Sequence, residues 1–193
     1  MRIALCNEVI REMDFAAQCE FAAKSGYDGL EVAPFTLDEN PHLLPANRRA
    51  EIRRAATDSG ISITGLHWLL ISPEGLSLNS PDDALRARTV DVMERLVGLC
   101  ADLGGSVLVH GSPKQRSVPE GEDPAPWLER TLDTLRAAAR AAENAGVTYC
   151  IEPLSSKETN FVTTIAEAVQ IVDAVGSPAF RTMIDNKAAT PLA

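Results

Sequence analysis

The chain has 193 residues, 45% of them hydrophobic, enough for one soluble domain with a substantial core, which excludes an intrinsically disordered chain. Its formal net charge of −9 at pH 7, with no basic run to offset it, argues against nonspecific binding to nucleic acid or to an anionic membrane. Four cysteines without CxxC spacing, no apolar run of spanning length, and an N-terminus that reaches Asn7 and Glu8 too soon for a signal peptide predict reduced thiols and a cytoplasmic protein.

Arg2 to Cys6 is a short apolar strand, and Asp14 caps a predicted helix whose Phe15, Cys19, Ala22 and Ala23 recur at helical spacing until Gly26. Asp28 to Val32 gives a second strand, ended by Pro34. His42, after Pro41 in a polar loop, is expected to be exposed. Pro45 to Ser59 is a helix closed by Gly60, with Arg48, Arg49, Arg53 and Arg54 expected on a solvated face. Ile61 to Leu66 is the third strand and delivers His67 and Trp68 into a loop that runs to Asn79. Ser80-Pro81-Asp82-Asp83 predicts a helix start with Ser80 as cap and Pro81 at the first helical position, and Gly104-Gly105 ends that helix.

Ser106 to Val109 is the fourth strand, followed by His110-Gly111-Ser112-Pro113. The Pro- and Gly-containing loop from Lys114 to Asp123 is expected to be mobile and able to cover a site. Pro124 opens an Ala-rich helix that closes near Gly146. Val147 to Glu152 is a fifth strand, stopped there because Pro153 cannot donate to a ladder, which leaves Glu152 at the strand's carboxyl end. Thr164-Ile165-Ala166-Glu167 is a capping box for a helix reaching Val175, and a sixth strand from Phe180 to Ile184 leaves Asp185 at its tip.

Strand followed by helix, repeated every ~30 to 40 residues, favours parallel strands joined by right-handed crossovers. A dinucleotide-binding sheet would carry GxGxxG after its first strand, yet Cys6-Asn7-Glu8-Val9-Ile10 contains no glycine. Instead, tips two to six present Glu31, His67, His110, Glu152 and Asp185, which meet on one axis if the sheet curls. The expected fold is therefore α/β: the first six βα units of a (β/α)₈ barrel, as one domain over residues 1–193. A complete barrel takes about 250 residues, so the chain is expected to be truncated at its C-terminal end. The open sixth strand predicts a protein that is unstable, homo-oligomeric or longer than this chain.

Singly, these residues have plainer readings. Glu152 and Glu31 can be ion-pair partners, His67 and His110 satisfied polar groups, and Trp68 loop packing.

Together they carry a resemblance. Glu152-Pro153-Leu154 with Glu158-Thr159-Asn160, then Ile184-Asp185-Asn186, resembles the sugar phosphate isomerase/epimerase family, the xylose isomerase-like TIM barrels. Gly29-Leu30-Glu31 and Gly65-Leu66-His67 look like that family's second and third strands. The resemblance implies a divalent metal ion (Mn, Mg, Co or Zn) with Glu152 and Asp185 as two of its ligands and the others beyond Ala193. It also implies isomerisation or epimerisation of a small sugar or polyhydroxy carbonyl compound through an enediolate, with Glu152 as catalytic base and Glu158 near the substrate's carbonyl end. His67, His110, Trp68 and Glu31 would line the substrate pocket. The partner implied is a sugar-like small molecule, neither nucleic acid nor membrane. Ala188 departs from the family pattern, which usually places His three residues after the metal-binding Asp. The alternatives are an endonuclease IV-like metal-dependent phosphodiesterase, with His67 and His110 on strands three and four, a related dehydratase, and an inactive truncated barrel.

Overall fold

A computed structural model describes residues 1–186; Ala188 and the chain's C-terminal end lie outside the described residues. Six parallel strands, β1 (Ala4–Cys6), β2 (Gly29–Val32), β3 (Ser62–His67), β4 (Val107–His110), β5 (Thr148–Ile151) and β6 (Phe180–Thr182), pair in their chain order. Between them run α1 (Phe15–Lys24), α2 (Ala46–Asp58), α3 (Asp83–Leu103), α4 (Pro124–Ala145) and α5 (Ile165–Val175). A doubly wound sheet reverses strand order at a switch point, and this sheet never does. Laid flat, six strands would hold β1 and β6 about 24 Å apart, at ~4.8 Å per step. Residues of β1 and residues just after β6 nevertheless line a single cavity, so the sheet curls into a barrel wall.

Strand alternation sorts the side chains into two layers. Leu30, Leu66, Leu108, Tyr149, Ile151 and Phe180 are fully buried on the outer face, where Met93, Leu96 and Leu99 of α3 and Leu135, Ala138 and Ala142 of α4 complete the core. Cys6, Glu31, His67 and Val109 take the opposite parity and face the barrel axis. Register holds them in step: Cys6 lies beside Glu31, His67 beside Val109, and Val109 beside Cys150.

Several expectations change at the edges of elements. Asp82, not Ser80, caps α3: its Oδ1 accepts from the backbone N of Ala84 at 2.8 Å. The Ser80 hydroxyl is drawn off to the backbone N of Asp82, and its carbonyl accepts from Arg86. β6 stops at Thr182 rather than Ile184, because β5 has already ended at Ile151 and offers nothing further to pair with. His42 is buried, not exposed, within a short 3₁₀ turn (Pro41–Leu43) packed on α3. Arg49 leaves the solvated face of α2: Nε donates to the Leu44 carbonyl and Nη1 pairs with Asp102 at 2.8 Å.

The loop after β4 is tied down rather than free. Arg116 is fully buried, and the Asn160 side chain both accepts from the backbone N of Val118 and donates to its carbonyl. All four cysteines are free thiols. Among the described residues, no helix is long and apolar enough to cross a membrane.

Candidate active site

The site grows from the end of β5. Pro153 stops the strand, and the peptide on either side of Glu152 is held from both directions: its N donates to the His110 carbonyl at 3.1 Å, and its carbonyl accepts from Arg116 Nη1 at 2.7 Å. The Glu152 side chain enters a cavity of about 460 Å³ at the carboxyl ends of the strands. Gly111 makes room for it, since a Cβ at that position would overlap Glu152 Oε2. That overlap involves the far end of a flexible side chain, so Gly111→Ala is expected to displace the carboxylate without breaking the fold. Its unfolding free energy should stay within about 1 kcal/mol of the parent, while divalent-cation affinity, read by titration calorimetry, should fall at least about tenfold.

Five carboxylates line this cavity: Glu8 after β1, Glu31 on β2, Glu152 after β5, Glu158 in the following turn, and Asp185 after β6. Burial, then the like charge of Asp185, pushes the Glu152 carboxyl up to about 7, and Glu31 and Glu158 act in the same direction. Arg116 opposes them from below the floor. Its guanidinium is itself pulled down to about 10 by burial, held up only by Glu152 and Glu158, and its Nε and Nη2 have no hydrogen-bond partner among the described residues.

The remaining predicted residues divide. His67 is buried with Nε2 2.8 Å from Glu8 Oε2, and Trp68 follows it at φ 54°, 43% exposed, as part of the cavity wall rather than as core. Glu31 lies on the wall between Cys6 and His67. His110 does not line the cavity. It pairs with Ile151 across the β4–β5 ladder, so it shares the outward parity of Tyr149 and Ile151; it is fully buried, with Nδ1 3.0 Å from the Tyr149 hydroxyl. Burial, then Arg116, lowers its pKa to about 3, which keeps the ring neutral.

Sequence reading passed over Cys6, Glu8 and Arg116. The available signal was their position at the first strand's carboxyl end, Cys6 closing β1 and Glu8 entering the 3₁₀ turn (Asn7–Ile10) that follows. Arg116 had no such signal within its polar loop.

A larger groove of about 510 Å³ lies outside the sheet, between α4 and α5. Its single carboxylate, Glu167, is spent on the α5 cap, whereas five carboxylates gather in the inner cavity. There the donor set fits a divalent cation. Glu152 and Asp185, both half-buried on the cavity wall, repel each other, and a cation held by both would remove that penalty.

The family model described as xylose isomerase-like TIM barrel matches residues 19–187. The D-psicose 3-epimerase of Ruminiclostridium cellulolyticum is 30% identical over 184 residues, 90% of this chain and 58% of that protein. The D-psicose 3-epimerase of Agrobacterium fabrum is 31% identical over 176 residues, 89% of this chain and 57% of that protein. The crystal structure of a D-psicose 3-epimerase in the presence of D-fructose aligns with a TM-score of 0.80 at 25% identity, over 95% of this chain and 63% of that one. The chain thus spans less than two thirds of the length of these relatives.

Proposed function

Because this chain belongs to the xylose isomerase-like TIM-barrel family, we propose that its cavity serves a sugar epimerase, inverting a carbon next to the carbonyl of a small ketose. The supporting observation is that Glu152 and Asp185 share one cavity wall closely enough for Asp185 to raise the Glu152 carboxyl. Glu152 and Asp185 would hold a divalent ion, Mn, Mg, Co or Zn, which when bound supplies Lewis-acid stabilisation of the charge that develops on neighbouring substrate oxygens.

Glu152 is the base. Its carboxylate, at the end of β5 and inside the cavity, would accept a proton from the activated carbon and return it. The backbone bonds to His110 and Arg116 fix where that carboxylate stands, and Gly111 leaves it the space to face the substrate. Glu158, exposed at the rim, binds the substrate near its carbonyl end. Trp68 offers a flat wall to the carbon skeleton, while Glu31 and His67 meet hydroxyls on the β2–β3 side. His110 acts at one remove: its carbonyl anchors Glu152 while its ring packs against Tyr149.

A phosphodiesterase of the endonuclease IV kind is less well served. One of the two histidines that favour it, His110, faces away from the cavity, and five carboxylates line the space a phosphate would enter.

Manganese titration tests the proposal. The full chain is expected to take up one Mn²⁺ saturably, by calorimetry or electron paramagnetic resonance, and Asp185→Asn should weaken uptake at least about tenfold, the scale of losing a coordinating or supporting group. D-psicose and D-fructose are the first pair to assay for interconversion. Absence of saturable Mn²⁺ uptake, or equal uptake by Asp185→Asn, would sink the assignment.

A further inference from the structure

We propose that Cys6, Glu31 and His67 form a second cation site on the β1–β3 wall of the cavity, suited to a thiophilic divalent ion such as Zn²⁺. Their donor atoms all lie within 4.8 Å of one another. Cys6 Sγ is 3.4 Å from Glu31 Oε2, and His67 Nδ1 is 3.8 Å from the same oxygen. A tetrahedral zinc with its usual bonds to sulfur, nitrogen and oxygen sets its ligand atoms about 3.4 to 3.6 Å apart. The two measured edges already bracket that spacing.

The ring of His67 supplies an independent observation. Its Nε2 is 2.8 Å from Glu8 Oε2, and a carboxylate can only accept, so Nε2 carries a proton; in the neutral ring Nδ1 then presents a lone pair. The residue is 7% exposed, and Nδ1 is buried with no hydrogen-bond partner among the described residues. That lone pair faces a Glu31 oxygen, so two acceptors confront each other across buried space. Positive charge between them resolves the conflict. A carboxylate on the far nitrogen is also how metal-binding histidines are oriented, which gives Glu8 the role of supporting group.

The backbone makes the arrangement rigid. Cys6 and Glu31 are register partners on adjacent strands, and His67 ends the next strand. Buried Asn7, which accepts from the backbone N of Ala33 at 2.7 Å, pins the turn that carries Glu8. Three protein ligands leave a fourth position open to the cavity, the pattern of zinc sites that also take a water or a substrate oxygen. The sulfur separates this site chemically from Glu152 and Asp185, whose oxygens suit harder ions. The inference stands whether or not the cavity epimerises sugars.

Cobalt absorption is the test, because a thiolate bound to Co²⁺ gives a near-ultraviolet charge-transfer band that oxygen ligands alone do not. Titrating the reduced full chain with Co²⁺ should raise that band to saturation at the amplitude of one thiolate-bound ion per chain, any Co²⁺ taken by Glu152 and Asp185 adding nothing to it, and cobalt affinity for this site is read from the band alone. Cys6→Ser should lose it with unchanged far-ultraviolet circular dichroism, His67→Gln should weaken cobalt affinity at least tenfold, and Glu152→Gln should keep the band. No band in the parent at saturating Co²⁺ would overturn the proposal and leave His67 as a structural partner of Glu8. A band that survives Cys6→Ser would overturn it in favour of another thiol. Should Cys6→Ser fail to fold, His67→Gln decides, and unaltered affinity there rejects the site.

Discussion

Replacing Glu152 with Gln is expected to lower any ketose epimerisation the parent shows by at least about 10³-fold, since loss of a positioned acid–base group alone costs about 10² to 10⁴ and a proposed cation ligand goes with it. Mn²⁺ uptake should fall at least about tenfold in the same variant. The fold should survive. Both hydrogen bonds that hold residue 152 in place use its backbone, and the carboxylate that Gln removes is one that burial and Asp185 already disfavour. Thermal unfolding of the variant should therefore match or exceed the parent's. A Gln variant that turns over ketose at near-parent rate would remove Glu152 from the base role, whereas one that unfolds early would show the carboxylate to be structural.

Gly65→Ala should produce the largest loss of stability of any single methyl added to the sheet. Gly65 sits in β3 between Glu31 of β2 and Val107 of β4. A Cβ there would lie 3.0 Å from the Val107 carbonyl carbon and closer still to its oxygen. Both atoms belong to backbone, which cannot swing aside as the Glu152 carboxylate can beside Gly111. Relief requires β3 and β4 to part, so the cost combines overpacking with weakened ladder bonds, at least about 3 kcal/mol out of a typical total of about 5 to 15. Urea unfolding measures it directly. A shift of under about 1 kcal/mol would mean that β3 and β4 are not apposed this closely in solution.

Much of this architecture was legible because it is written in local chemistry. The Thr164–Glu167 capping box and the βα repeat match the structure, and the stop signal at Pro153 is off by a single residue, β5 ending at Ile151 with Glu152 just beyond it. The alignment of Glu31, His67, Glu152 and Asp185 on one cavity needed one further assumption, that the sheet curls, and the unbroken strand order supplies it. His110 shows where the reading stopped short. Being the last residue of a strand does not decide which face a side chain takes; parity does, and His110 is in register with outward-facing Ile151. Arg116 and His42 were obscured for a different reason. Polar loop sequence ordinarily signals exposure, but here Arg116 is drawn inside by the carbonyl of Glu152, and His42 by packing against α3.

The two hydrogen bonds between the Asn160 side chain and the Val118 backbone couple the loops that follow β4 and β5. One carboxamide spends a donor and an acceptor on the backbone of a single residue, so the segments above β4 and β5 are stitched along a common seam. A displacement of either loop therefore strains the other, and the two are expected to shift together.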